Sequence, residues 1–339
     1  MGVNVILCSR NGEKYLREQA ESILKQTDPG VRLLISDDAS TDGTRAVISE
    51  YAERWPDRVS VCFRETPSGG AARHFFLALR HFAETEAGKG AGASGEPVYW
   101  MFADQDDLWH PDKVEKTLRA MRRAEEETGG RTPVLVHCDM RVVDEADSEI
   151  SPSYVRYQQM SPERCALNQL LVQNNVTGGA LMMNGALVRL LLSRPVPRYA
   201  VMHDHWAALT AAAFGKIVFL DEALYDYRQH GGNVLGAAKG SRVREVLDRL
   251  GLFRRDGKTK KEMDRHSASV YEALFRQAAE FGRQYETGPF EILGPSERKM
   301  LLAFVSMRRM NRLQKIFTIL RYGFTFNRVH RTAGECLFM

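Results

Sequence analysis

Apolar residues fall in short runs separated by amphipathic stretches, and the two kinds of segment alternate through the first 130 residues. Residues 3–9 are an apolar run, followed by Asn11-Gly12 and a helical pattern over 13–26 with Tyr15, Leu16, Ala20, Ile23 and Leu24 on one face. The unit recurs in kind. A run at 31–36 precedes a helix from Thr44, a run at 59–63 precedes a helix over 71–82, and a run at 98–103 precedes a helix from Pro111. Alternation of this sort predicts an α/β fold with a mostly parallel sheet flanked by helices. Ligands bind such a sheet beyond the carboxyl ends of its strands, so the loops after Ser9, Ser36 and Ala103 are expected to line one site.

From about Pro133 the strands shorten. A polar loop over 147–161 leads to a helix near 167–173, an apolar segment at 178–184, a helix around 204–214 and two strands at 216–220 and 223–227. Residues 87–96, rich in Gly and Ala, read as a surface loop without chemistry. Beyond Gly240 the chain turns helical and basic. The expected division is therefore an α/β domain at 1–240, with halves at about 1–130 and 131–240, and a C-terminal helical extension at 241–339.

The 339 residues suffice for one large domain with an appendage, and 44% hydrophobic with 27% charged residues is a globular composition. No run approaches the roughly 18 apolar residues of a membrane span, and the N-terminus shows no cleavable signal. Cys8, Cys62, Cys138, Cys165 and Cys336 form an odd set without a C-x-x-C pair, which suits reduced, mostly buried thiols and a cytoplasmic location.

Four clusters could carry chemistry. Asp37 and Asp38 end a strand side by side and would repel unless hydrogen-bonded or bridged, for which a nucleotide base N–H and a ribose hydroxyl are suitable donors. Asp42 fits a turn or helix cap instead. The loop Asp104-Gln105-Asp106-Asp107 puts three carboxylates in four residues after an apolar strand, a hard-oxygen set suited to Mg²⁺ or Mn²⁺. There is no P-loop and no GxGxxG after the first strand. Met202-His203-Asp204-His205-Trp206 opens a helix. Asp204 could cap it or act as a general base, while the i, i+2 spacing of His203 and His205 argues against a shared zinc. Finally, His230 follows a strand end and precedes a Gly-Gly turn.

Read in order, Ser9-Arg10-Asn11-Gly12-Glu13-Lys14-Tyr15-Leu16, Ser36-Asp37-Asp38-Ala39-Ser40-Thr41-Asp42-Gly43-Thr44 and Ala103-Asp104-Gln105-Asp106-Asp107-Leu108-Trp109-His110-Pro111-Asp112-Lys113 resemble the motifs of glycosyltransferase family 2. The form is similar to the bacterial branch that builds O-antigen and other surface polysaccharides, including rhamnosyltransferases. The segments at 176–184, 203–206 and 227–233 follow in that branch's order. The resemblance implies a GT-A fold and an inverting, metal-dependent transfer of one sugar from a nucleoside-diphosphate sugar, UDP- or dTDP-linked, to a glycan or lipid-linked glycan acceptor. By position, Ser9, Asn11, Asp37, Asp38 and Asp104 would bind the donor nucleotide. Asp106 and His230 would hold the divalent metal, and Asp204 would be the catalytic base. Gly178, Gly179, His203 and Trp206 would line the sugar and acceptor loop. His203 stands where relatives more often carry an acid, and Ser68-Gly69-Gly70 with His74 departs from the usual Asn-containing pattern. Neither the membrane spans nor the Gln-x-x-Arg-Trp motif of processive synthases is present, which favours single-sugar transfer. A nucleotide-sugar pyrophosphorylase would need an N-terminal Gly-rich basic signature that 9–12 lacks. An inactive scaffold is the non-enzymatic alternative.

The net charge of +4 conceals an asymmetry. Residues 298–331 hold nine Lys and Arg and no acid, so the remainder, with 38 Lys and Arg against 43 Asp and Glu, is about −5. Two readings stand for this basic, apolar segment: an element on an anionic membrane surface, or helices packing their apolar side on the catalytic domain. No nucleic-acid module surrounds it, so nucleic acid is not an expected partner.

Overall fold

The computed structural model describes residues 2–88, 97–231, 260–288, 292–327 and 332. Its first half runs β1 (Gly2–Ser9), α1 (Leu16–Leu24), β2 (Val31–Asp38), α2 (Thr44–Arg54), β3 (Val59–Arg64), α3 (Ala71–Gly88), β4 (Val98–Ala103), β5 (Leu108–Trp109) and α4 (Lys113–Thr128). The apolar runs and amphipathic helices read from the sequence are all there. Helix α1 starts at Leu16 instead of residue 13 because the preceding turn is tied to the β2–α2 loop. There the Glu13 carboxylate accepts the Gly43 N–H at 2.9 Å, and Asp42 accepts the Glu13 N–H at 3.3 Å.

The second half runs β6 (Val134–Val143), β7 (Glu149–Ser151), α5 (Tyr154–Gln158), α6 (Leu167–Leu170), a 3₁₀ turn at Gly178–Ala180, β8 (Leu181–Met183), α7 (Gly185–Leu192), α8 (His203–Phe214) and β9 (Lys216–Arg228). Among the described residues all nine strands form one sheet, in the order β3-β2-β1-β4-β8-β6-β9-β5 with β7 on β6. The expectation of a mostly parallel sheet holds for β3-β2-β1-β4 and for β6 with β9, whereas β8 lies antiparallel to both β4 and β6. The sheet is therefore mixed: an apolar run such as 180–183 fixes burial, not strand direction. The two strands expected at 216–227 are one. Its pairing with β6 jumps from Cys138–Leu220 to Asp139–Ala223, and the bulge leaves Asp221 and Glu222 outside the ladder.

The sheet divides two cores. On one face α1, α2 and α4 bury Leu16, Ala20, Ile23, Ile48, Val114, Leu118 and Met121 against β1, β2 and β4. On the other, α3, α7 and α8 pack with three further helices, α9 (Lys260–Gln284), α10 (Pro295–Ser306) and α11 (Arg312–Tyr322). Phe281 meets Trp206 edge-on at 5.3 Å, and Phe304 bridges Phe275 and Phe324 at 5.1 Å each. The Glu280 carboxylate accepts the N–H groups of Arg198 and Tyr199 at 2.9 and 2.6 Å. The C-terminal helices thus share one core with α3, α7 and α8, as the packing reading of the tail anticipated. The division expected at residue 240, most of the Gly- and Ala-rich loop at 87–96, and Cys336 lie outside the described residues. Among the described residues no helix is long and apolar enough to cross a membrane.

Candidate active site

Three parallel strands, β2, β1 and β4, end side by side and bring Asp37 and Asp38, Ser9, and the loop after Ala103 to one edge, as expected. Asp37 is fully buried and its carboxylate is held from three directions: Ser40 donates through both N–H and hydroxyl, and Arg45 Nε donates at 2.9 Å. Asp38 accepts from the Ser68 N–H at 2.7 Å and its hydroxyl at 2.8 Å, with Arg64 at 3.3 Å. The protein's own residues therefore supply the donors that separate the two carboxylates. Ser9 is buried, with its hydroxyl 3.5 Å from the Ser36 carbonyl. Asn11, at φ +50°, accepts the Thr41 N–H at 2.9 Å and donates its own N–H to Ser40, stitching the first loop to the second. Asp42 makes the turn that the sequence allowed, accepting the N–H of Thr44 two residues on at 3.1 Å, while Gly43 is the cap residue of α2.

In the acidic loop the three carboxylates part company. Asp106 Oδ2 lies 2.8 Å from His230 Nε2, and the His230 ring stacks on Tyr15 with centroids 4.8 Å apart. Asp104 is pushed up to about 7, first by burial and then by the charges of Asp106 and Asp204. Asp107 is 1% exposed, and its carboxyl is held well above the usual carboxylate range by burial and by Asp106 and Asp104, with the Lys113 charge and the Arg228 N–H pulling the other way. Its balancing cation is Lys113, itself wholly buried. The ammonium donates to the Gly179 carbonyl and lies over the rings of Trp109 (3.5 Å) and Tyr225 (4.0 Å). Burial brings it down to about 7.

Across from this loop, α8 presents its first turn. Asp204 is 7% exposed; its Oδ1 accepts the His205 N–H at 2.5 Å and Asn174 Nδ2 at 3.0 Å. Burial raises it to about 7 against these donors and the Gly178 N–H, so near neutrality it exchanges a proton readily. His203 stacks on Phe75 at 3.8 Å and meets Phe102 edge-on at 5.0 Å. Both of its ring nitrogens are buried without a hydrogen-bond partner, and burial, with His74 nearby, brings it down to about 3. It is a neutral imidazole beside a carboxylate. His205 is occupied structurally: one ring nitrogen lies 2.6 Å from the Leu170 carbonyl oxygen and the other 3.1 Å from Gln277 Nε2.

The glycines serve these side chains. A Cβ on Gly178 would stand 2.5 Å from His203 Nε2, and one on Gly179 would stand 3.0 Å from Asp107 Oδ2 and 3.2 Å from the Tyr225 hydroxyl. Trp206 does not belong with the acceptor loop: it is 1% exposed and packs against Phe281, because residue 206 lies on the core side of α8. Sequence reading gave no role to Lys113, Tyr225, Asn174 and Tyr15, and counted Asp107 only as one of the three loop carboxylates. Lys113 stands at the start of an amphipathic helix, where a lysine ordinarily reads as solvated. Only the aromatic pair that encloses it, one member more than a hundred residues away, reveals its burial.

For a divalent cation the donor chemistry fits in part. Asp106 and His230 converge, and the buried oxygens of Asp107 lie on the same loop. No group of three ligating side chains is assembled among the described residues, so a cation held here would draw its remaining ligands from the substrate.

Residues 4–134 match the family described as Glycosyl transferase family 2. Over 258 residues, 74% of this chain and 72% of the other, the sequence is 28% identical to an uncharacterized glycosyltransferase of Nostoc sp.. It is 30% identical over 112 residues to the dTDP-rhamnosyl transferase RfbG of Shigella flexneri, a stretch that is 33% of this chain and 35% of the Shigella protein. In fold it is similar to S. aureus TarS, with a TM-score of 0.51 at 18% identity, covering 95% of this chain and 80% of that one. A TarS complex with UDP gives the same TM-score at 19% identity, covering 92% and 73%. The likeness confirms the GT-A-like arrangement of a mixed sheet flanked by helices.

Proposed function

Residues 4–134 form a glycosyl transferase family 2 domain, and from that premise we propose that the chain moves one sugar, with inversion, from a nucleoside-diphosphate sugar to a hydroxyl of a surface glycan, carried on a lipid and met at the cytoplasmic face of the membrane. The observation that carries the chemistry is Asp204, buried at the first turn of α8, oriented by Asn174 and poised at about 7. A base there takes the acceptor hydroxyl's proton as its oxygen attacks the anomeric carbon. The C–O bond to the diphosphate breaks, and the electron pair leaves with the nucleoside diphosphate. Attack from the side opposite the leaving group inverts the anomeric centre. An intact base and carboxylate loop disfavour an inactive scaffold.

The other roles follow by position. Ser9, Asn11, Asp37 and Asp38 floor the nucleotide pocket, where the internal hydrogen bonds of the two aspartates hold a rigid acidic rim. Asp104 faces the ribose and diphosphate. Asp106 and His230 would hold a Mg²⁺ or Mn²⁺ ion, which when bound offsets the charge developing on the diphosphate. Gly178, Gly179 and His203 border the transferred sugar, with His203 able to share a hydrogen bond while staying uncharged. The Shigella relative is named for a dTDP sugar and the TarS complex holds UDP, so these two nucleotides head the candidate donors. Release of nucleoside diphosphate across UDP-, dTDP- and GDP-sugars, with and without Mg²⁺ or Mn²⁺, tests the reading. Asp204→Asn should keep donor binding and lower turnover by about 10²–10⁴-fold. Turnover near that of the parent would remove Asp204 from the role.

A further inference from the structure

Helix α11 has two differently used sides. Inward, Ile319 and Thr318 are buried and Phe324, just past the helix, packs on Phe304. The chain here is clamped to the catalytic domain: Asn168 Nδ2 donates to the carbonyls of Tyr322 and Gly323 at 3.0 Å each, Arg164 donates to the Thr325 hydroxyl at 2.5 Å, and Asn175 pairs with Asn327 at 3.1 Å. Outward, Leu313, Phe317 and Leu320 recur at i, i+4 and i+7, which places them on one stripe. They are 79%, 62% and 72% exposed. With Leu302 of α10, at 68%, they are the four most exposed large apolar side chains among the described residues. A helix so firmly seated, with its apolar stripe turned to solvent, carries a surface that its own domain does not cover.

Charge identifies what covers it. At 100° per residue Arg321 lies about 70° to one side of the stripe's centre and Arg312 about 110° to the other, while Lys315 falls on the inward side. Arg309 and Lys299 are exposed nearby in sequence, and residues 298–331 contain no acid. A second copy meeting this face would set cations against cations. A bilayer rich in anionic lipid meets both demands, with acyl chains for the stripe and headgroups for the arginines. We propose that α11 is an interfacial helix that docks the enzyme on an anionic phospholipid surface through Leu313, Phe317 and Leu320. The inference is independent of the transfer chemistry, because vesicle binding is read without turnover.

The test is flotation of the full chain with vesicles of phosphatidylcholine alone or with about 30% phosphatidylglycerol, the proportion chosen to set a surface potential of tens of millivolts. The protein should float with the anionic vesicles, progressively less as salt rises. Replacing Leu313, Phe317 and Leu320 together by Ser should lower the partition at least about tenfold, and Arg312→Gln with Arg321→Gln by roughly fivefold per cation. Unchanged circular dichroism and nucleotide binding would show that both variants are folded. A single variant, Phe317→Ser, provides a milder second test if the triple fails to fold. Equal flotation with neutral vesicles would overturn the proposal, as would flotation unaffected by the stripe variants. So would a wild-type dimer that the triple variant dissolves while vesicles bind neither.

Discussion

His203 lies face to face on Phe75, ring centroids 3.8 Å apart, and points an unpartnered nitrogen toward Gly178. The slot keeps the imidazole neutral, so the histidine nearest the base does not titrate in the working range, whereas Asp204 does.

This gives the first prediction. A base must be unprotonated to act, so log kcat/KM should rise with pH through about 7, where Asp204 loses its proton, and level above it. His203→Asn should weaken donor binding and leave that limb in place, because His203 sits at about 3 and is neutral on both sides of it. Assays from pH 5.5 to 9, run at saturating metal, separate the two. Loss of the limb in His203→Asn would assign the titration to the histidine.

A second prediction concerns the buried pair. Lys113 sits in a pocket closed by Gly179, Trp109 and Tyr225, and its charge acts on the buried Asp107 carboxyl. Lys113→Met leaves the buried Gly179 carbonyl without its donor and removes the charge that offsets the Asp107 carboxyl, and leaving one buried acceptor unpaired costs about 1–3 kcal/mol. Adding Asp107→Asn should restore part of the loss. Urea unfolding of the four proteins of the cycle measures the coupling, and strictly additive effects would show that the two residues act apart.

Those residues also show where sequence reading stopped. The apolar runs located β1, β2, β4 and the helices between them because burial on a sheet leaves a local trace. The acidic loop after β4 and the acid opening α8 singled out Asp104, Asp106 and Asp204 as candidates because chemistry concentrates charge where a fold would otherwise avoid it. The Lys113 pocket draws on 109, 113, 179 and 225, and no window of the chain contains that set. The reversed β8, between two strands that run parallel to other partners, is likewise a property of pairing. Trp206 was misread for the complementary reason: it neighbours Asp204 in sequence but lies on the core side of the helix.

A third prediction is a matter of linkage. Asp226 accepts from Arg141 Nε and Nη2 at 2.6 Å each and lies 2.9 Å from His110 Nε2. Burial alone would raise its pKa, but these partners outweigh it and bring it down to about 2. A folded pKa below the unfolded 3.8 means stability that is fully present above about pH 4 and lost as pH falls toward 2, amounting to about 2 kcal/mol. Asp226→Asn should lower stability at pH 7 and flatten its dependence between pH 4 and 2. Parallel slopes for the two proteins in that window would show that other carboxylates carry the acid sensitivity.

The last prediction concerns the cation. Asp106 and His230 already hydrogen-bond at 2.8 Å, and Tyr15 holds the His230 ring by stacking while its own hydroxyl donates to Glu145 at 2.8 Å. Two protein ligands give weak affinity for a hard divalent ion, and a diphosphate adds the oxygens that complete its shell. Metal and nucleotide should therefore bind cooperatively. Calorimetric titration of UDP should give tight binding only with Mn²⁺ present, and of Mn²⁺ only with UDP. Asp106→Ala should abolish the metal-dependent part. His230→Gln, which alters the partner that orients Asp106, should weaken it by about 10–100-fold. Tyr15→Leu removes the stack without touching either ligand, so a smaller loss there would show that ring placement, and not charge alone, sets the affinity. Nucleotide binding that is indifferent to metal in all four proteins would mean that the Asp106–His230 pair is a structural clasp between the acidic loop and the end of β9.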